Sequence, residues 1–128
     1  TATTQAGALF LREIVRYPAF SELGGEFRHG PMEMVDDGFH GIIVAAKDAT
    51  EPLAYRLARD IQAHGGHVAA IANQQWQGIP TVAVPQTDEW SSPLMTILPI
   101  QLYAESFAKQ KGIRAGSFRW GSKITKTE

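Results

Sequence analysis

The sequence predicts an α/β domain built around a mostly parallel sheet, and three observations support this fold class. Residues Gly41 to Ala46 form a continuous apolar run, which is typical of a strand buried on both faces of a sheet. A segment with helical periodicity and a second apolar run, His67 to Ala72, follow it in the order strand, helix, strand. A third run, Ile79 to Val84, is rich in β-branched residues and predicts one more strand.

The helices are predicted from apolar residues that recur at spacings of three and four. The first is predicted over Thr4 to Arg16. The second has Thr50 as its N-cap and ends at a pair of glycines. The last begins at Ser92, with a proline at the next position, and is closed by Gly112. The segment Ser21 to Pro31 is rich in glycine and polar residues and is predicted to be a loop.

The chain has 128 residues, which suits one compact domain. We assign residues 1–112 to that domain and residues 113–128 to a C-terminal tail, because the tail has little apolar periodicity and several basic side chains. Three strands are few for a parallel sheet, and Thr1 lies only a few residues before the first helix. We therefore expect a leading strand upstream of this sequence.

Composition excludes several classes of partner. The formal net charge is −1 and no basic cluster is interleaved with aromatic residues, so we expect no nucleic-acid partner. No apolar run approaches the ~20 residues that span a bilayer, so we expect no membrane partner and predict a cytoplasmic protein. Cysteine is absent, which excludes disulfides and thiolate ligands. The histidines have no carboxylate partner at the spacing of metal ligands, so we expect neither a metal nor another cofactor.

Three side chains are candidates for proton transfer or covalent chemistry. His29 lies in a glycine-flanked loop, and a histidine side chain can move protons at physiological pH, although a solvated loop histidine fits the composition as well. Glu13 shares a helical face with Phe10, so partial burial would make it a useful base; a solvated glutamate paired with Arg16 is the alternative. Lys123 has an amine that can form a Schiff base, or it is a solvated tail lysine.

Glu26 and Arg28 flank Phe27 in the predicted loop. Alternate side chains of an extended segment point the same way. We therefore expect these two side chains either to form a local ion pair or to contact a neighbouring subunit.

Four segments of the chain resemble the sugar isomerase (SIS) domain family. They lie in the family's order over nearly the whole chain, and they are Ala6–Glu13, Gly25–Val35, Leu98–Leu102 and Arg119–Glu128. Within the family the chain is similar to the second SIS half of the glucosamine-6-phosphate synthases and of the fructosamino-acid 6-phosphate deglycases. The resemblance implies a flavodoxin-like three-layer αβα fold, an upstream SIS half, a sugar-phosphate substrate and a homodimer whose active site is shared between subunits.

The resemblance also implies roles for individual residues. Glu13 matches the glutamate that carries a proton between carbons 1 and 2 of the sugar phosphate. His29 matches the histidine that assists ring opening in the adjacent subunit, and Lys123 matches the tail lysine that can form a Schiff base with a ketose. The residues expected to contact the substrate beside them are Glu26, Arg28 and Ser122.

The specific reaction stays open at this point. The synthase helix carries a glutamate and a lysine where this chain has Ala6 and Phe10, which favours deglycase or other aldose–ketose chemistry, whereas the lysine-containing tail is closer to the synthases. The family's main phosphate-binding serines and threonines lie in the first SIS half, so we expect this chain alone to bind the phosphate incompletely. The alternatives are a non-catalytic SIS module that senses a phosphosugar and an unrelated flavodoxin-like domain.

Overall fold

The computed structural model describes residues 2–46 and 48–120, which form four α-helices, one 3₁₀ turn and three β-strands. In chain order these are α1 (Ala2–Glu13), α2 (Gly24–Arg28), the 3₁₀ turn (Pro31–Met34), β1 (His40–Val44), α3 (Glu51–Ala63), β2 (His67–Ala72), β3 (Thr81–Ala83) and α4 (Ser92–Gln110). Among these described residues, no helix is both long and apolar enough to cross a membrane.

The three strands form one parallel sheet in the order β1-β2-β3. His40 lies opposite His67, and Ala70 lies opposite Thr81. The predicted α/β class with a parallel sheet is therefore confirmed. β3 is shorter than predicted, and prolines flank it at positions 80 and 85; proline has no N–H to donate to a sheet.

Helices cover both faces of the sheet. On one face α3 packs through Leu57 and Ile61 against the small side chains of β2 that include Ala70. On the other face Ile100 of α4 packs against Ile71, because successive residues of a strand point to opposite sides. Helix α1 lies outside α4 and packs on it. The result is the three-layer arrangement of helix, sheet and helix.

Two predicted boundaries near the N-terminus were wrong. α1 ends at Glu13 rather than Arg16, because Arg16 has a left-handed backbone with φ of 56°, which no helix continues. The predicted loop contains α2, a single helical turn. Its Phe27 packs into the cluster around α3, at a ring-centroid distance of 5.6 Å from Phe39, and this contact outweighs the weak helix preference of two glycines.

Two aspartates organise the approaches to the longer helices. Thr50 precedes α3, yet its side chain makes no capping hydrogen bond; instead Asp48 accepts the Thr50 hydroxyl at 2.6 Å and its backbone N–H at 2.7 Å. Asp88 accepts the hydroxyl of Ser91 at 2.8 Å and its N–H at 2.9 Å before α4. Donation from the Thr50 and Ser91 hydroxyls, followed by the backbone N–H groups, lowers the pKa of each aspartate below its ordinary value.

Candidate functional site

The end of α1 and the chain after α4 enclose a cleft of about 480 Å³. Its charged side chains are the guanidinium groups of Arg12, Arg16 and Arg119 and the carboxylate of Glu13. The lining of the cleft therefore has three cationic groups and one anionic group. Such a surface attracts an anionic ligand through local charge, although the chain as a whole has a net charge of only −1.

The contact between Arg16 and Ser117 closes the cleft on one side. Nη2 of Arg16 donates to the backbone oxygen of Ser117 at 3.0 Å and to its hydroxyl at 3.3 Å. The Ser117 hydroxyl in turn donates to the backbone oxygen of Arg114 at 2.6 Å. These bonds join two segments that lie 101 residues apart in sequence. No local sequence pattern indicates this contact, and so sequence reasoning did not find Arg12, Arg16 or Arg119 as site residues.

Glu13 is exposed to solvent in the cleft, which corrects the expectation that it lies on an apolar face. The buried face of α1 is formed by Thr3, Gly7 and Ala8, which turn toward α4. Leu9 is 43 % exposed, so the face assumed from periodicity is not the buried one. Glu13 consequently has solvent access and a free approach for a ligand. It makes no ion pair with the neighbouring Arg16.

His29 follows the single turn of α2 and is also exposed. Its backbone N–H donates to the oxygen of Glu26 at 3.0 Å. The turn is held against α3 by the partly buried ring of Phe27 and by Gly24, whose missing Cβ would stand 3.3 Å from Leu57. The imidazole is thus presented to solvent from a turn whose backbone is anchored at both of these points.

Arg28 forms its ion pair with Asp60 of α3, at 2.7 Å between Nη2 and Oδ2. Of the two alternatives expected for Glu26 and Arg28, the local ion pair is wrong, and contact with a neighbouring subunit stays a prediction. The segment is helical rather than extended, so residues two apart do not point the same way. The guanidinium of Arg28 therefore contributes to holding the histidine-bearing turn on α3.

A single chain does not bring the two central candidates together. Glu13 lies in the layer of α1 and α4, whereas His29 lies with α3 on the other face of the sheet. His29 lines neither the arginine-lined cleft nor a second, smaller cleft beside Glu51. Ser122 and Lys123 lie outside the described residues. Within the described part of the chain, no group of three or more His, Cys, Asp or Glu side chains could hold a metal ion.

Comparison with curated proteins finds relatives that are named glutamine–fructose-6-phosphate aminotransferase (isomerizing). The chain is 32 % identical over 117 residues to the glutamine–fructose-6-phosphate aminotransferase (isomerizing) of Encephalitozoon cuniculi, covering 88 % of this chain and 17 % of that protein. It is 31 % identical over 111 residues to the enzyme of the same name from Thermus thermophilus, covering 83 % of this chain and 18 % of that protein. The chain therefore spans less than a fifth of the length of these relatives. No profile of a known protein family matches it.

Solved structures give the same result for the fold. The C-terminal domain of glucosamine-fructose-6-phosphate aminotransferase from Francisella tularensis superposes with a TM-score of 0.79 at 23 % identity, over 88 % of this chain and 33 % of that one. A protein from Silicibacter pomeroyi described as a phosphosugar isomerase superposes with a TM-score of 0.74 at 28 % identity, over 88 % of this chain and 34 % of that one. The flavodoxin-like SIS fold is thus confirmed. This chain is a homologue of the C-terminal sugar isomerase (SIS) region of glutamine–fructose-6-phosphate aminotransferases.

Proposed function

We propose that this chain is the C-terminal SIS half of a cytoplasmic phosphosugar isomerase-type enzyme that acts on ketose or amino-sugar 6-phosphates. Residues 1–112 form the SIS domain, and residues 113–128 form a tail that closes over the substrate. An upstream SIS half supplies most of the phosphate contacts. The observation that carries the proposal is the position of Glu13 in a cleft with three arginine side chains, in a homologue of sugar-phosphate enzymes.

The proposed reaction moves a proton between carbons 1 and 2. Glu13 removes the proton from one carbon, and the electron pair of that C–H bond enters an enediolate or enolamine between the two carbons. The same carboxylate then returns the proton to the neighbouring carbon. Negative charge develops on the sugar oxygens during this step, and the guanidinium groups of Arg12, Arg16 and Arg119, which line the same cleft, would stabilise that charge.

Ring opening needs a second group, for which we propose His29 from the partner subunit. The two groups lie on opposite faces of the sheet within one chain, so a shared site requires two copies. Arg28 and Glu26 would then approach the substrate beside the imidazole. Lys123 would form a Schiff base with a ketose, and Ser122 would hydrogen-bond the sugar. The lysine-containing tail favours aminotransferase chemistry, whereas Ala6 and Phe10 favour deglycase chemistry, and the assay distinguishes the two.

The test uses the complete gene product with three substrates: fructose 6-phosphate with ammonia, glucosamine 6-phosphate, and a fructosamine 6-phosphate. We expect turnover of at least one substrate and a loss of about 10²–10⁴ in kcat for Glu13→Gln, which keeps the shape of the side chain but removes the base. The matched control is Glu89→Gln, an exposed glutamate outside the cleft, and its activity should equal that of the wild type. Absence of turnover with all three substrates would favour the phosphosugar-sensing module instead.

Sharing of the site is tested by mixing two inactive variants. Glu13→Gln and His29→Asn proteins are dissociated, mixed and reassociated. In a two-fold dimer with shared sites, each mixed dimer regains one site with both native residues, so about a quarter of the wild-type activity should return. No recovery in dimers shown to have exchanged subunits would place both residues in the site of a single chain and contradict the proposal.

A further inference from the structure

A second cleft lies at the carboxyl ends of two neighbouring parallel strands, away from Glu13. It has a volume of about 340 Å³, which is near the lower end for small-molecule sites. Glu51, the first residue of α3, lies on one wall, and the segment from Gln74 to Gln77 after β2 lies on the other. The carboxyl ends of parallel strands are where open α/β sheets bind ligands.

The buried residue of this cleft is Glu51, which is only 9 % exposed. Its Oε1 atom accepts two hydrogen bonds, from Nε1 of Trp76 at 3.0 Å and from Nε2 of Gln74 at 2.9 Å. Its Oε2 atom has no partner among the described residues. No side-chain oxygen or nitrogen in that part of the chain is both fully buried and unpaired. Oε2 therefore remains in contact with the open space of the cleft.

The charge of this carboxylate is not balanced by any described cation. No lysine, arginine or histidine among the described residues forms an ion pair with it. Its position at the start of a thirteen-residue helix favours negative charge there, since the helix dipole is positive at that end. Taking a carboxylate out of water is nevertheless costly without a cation or a full set of donors. A cationic hydrogen-bond donor that contacts Oε2 would balance the charge and give the second carboxylate oxygen a partner.

The walls of the cleft are ordered without a ligand. The hydroxyl of Tyr55 donates to the backbone oxygen of Gln77 at 3.0 Å, and Nε2 of Gln62 donates to the backbone oxygen of Gly78 at 3.1 Å. The rings of Tyr55 and Trp76 meet edge to face at a centroid distance of 5.6 Å. These contacts fix the segment on α3, so a ligand would meet a preformed wall and lose little free energy in ordering it.

We propose that this cleft is a second binding site, for a small primary amine that carries several hydroxyl groups. The ammonium group donates to Oε2 of Glu51. The hydroxyl groups meet the exposed amide side chains of Gln75 and Gln77, which can both donate and accept hydrogen bonds. The site needs no phosphate on its ligand, because no described arginine or lysine lines it. It is separate from the arginine-lined cleft and does not depend on the function proposed for that cleft.

Trp76 provides the readout, because its indole N–H is bonded to Glu51. We would record ¹H–¹⁵N NMR spectra of ¹⁵N-labelled protein during titration with 1-amino-1-deoxysorbitol. A parallel titration would use sorbitol as the matched neutral polyol. Trp90 and Trp120 are 89 % and 92 % exposed, so their indole signals serve as internal controls and Trp→Phe variants assign them. We expect the Trp76 signal to shift saturably with the amine, and sorbitol to bind roughly tenfold or more weakly, as expected for a lost hydrogen bond to a charged group.

Glu51→Gln tests the carboxylate directly. Its remaining oxygen can still accept from Trp76, and we expect affinity for the amine to fall roughly ten- to hundredfold. Equal binding of sorbitol, an unmoved Trp76 signal, or undiminished binding by Glu51→Gln would each overturn the proposal. If Glu51→Gln does not fold, the double variant Gln75→Ala, Gln77→Ala alters only exposed side chains. Unchanged affinity for the amine in that double variant would also overturn it.

Discussion

Replacing Gly7 with alanine tests the contact that places the end of α1 on α4. A Cβ atom at this position would lie 3.0 Å from both Cδ1 and Cγ2 of Ile100. Ile100 is only 4 % exposed and packs against Ile71 and Val84, so it has little space to retreat. Overpacking of this kind costs about 1–3 kcal/mol. Alanine is the better helix former by about 0.8–1.0 kcal/mol. The net expectation is a loss of roughly 0–2 kcal/mol in the free energy of unfolding.

Urea unfolding of Gly7→Ala, Ile100→Val and the double variant measures this balance. Ile100→Val removes Cδ1 and by itself should cost about 0.5–1.5 kcal/mol. Because it also removes one of the two close contacts, the double variant should lose at least about 0.5 kcal/mol less than the sum of the single losses. If Gly7→Ala instead stabilises the protein by the full helix preference, then Ile100 yields freely and the close approach does not hold α1 in place.

Three further expectations follow from contacts described above. Asp88→Asn should lower the melting temperature at neutral pH, and the melting temperature of the variant should fall less steeply in acid than that of the wild type. Hydrogen bonding by Ser91 lowers the pKa of Asp88 in the folded protein below its ordinary value of 3.8. The aspartate therefore stabilises the fold above pH 3.8, and this stabilisation is lost as the pH falls through the lower pKa of the folded state. Asp60→Asn should cost at most about 1 kcal/mol in urea unfolding, because the pair with Arg28 is partly exposed. The same variant should broaden the NMR signals of the turn that carries His29, because Arg28 loses its partner on α3. Val15→Ala, at a fully buried position against α4, should cost roughly 1.5–3 kcal/mol in urea unfolding, from two lost methyl groups and the remaining cavity, and an exposed-site control such as Val82→Ala should cost much less.

The sheet was predictable because its signal is local. The run His67 to Ala72 is apolar after its first residue and mostly buried, and its bounds in the structure equal those predicted. The general positions of α3 and α4 were predictable from their apolar stripes and their N-terminal prolines. The predicted resemblance to SIS domains was confirmed by relatives that cover most of the chain.

The arrangement of the candidate site was less predictable, because it depends on tertiary contacts. Periodicity alone did not show that Gly7 would face Ile100 of α4, and this packing leaves Glu13 outside the buried face of α1. The helical turn before His29 is held by Phe27, whose partners lie in other elements. The arginine-lined cleft joins both ends of the described chain. The helical periodicity of a sequence indicates neither kind of contact.

The backbone of Arg16 stores a small amount of conformational strain, and its consequence concerns the chain end. A left-handed residue other than glycine costs roughly 1–2 kcal/mol, and the two bonds from the Arg16 side chain to Ser117 offset this cost. The terminus of the first helix and the docking of the distant segment are thus thermodynamically linked. A ligand that displaces that segment also removes the reason for the unusual torsion, so the helix end becomes a reporter of whether the cleft is covered.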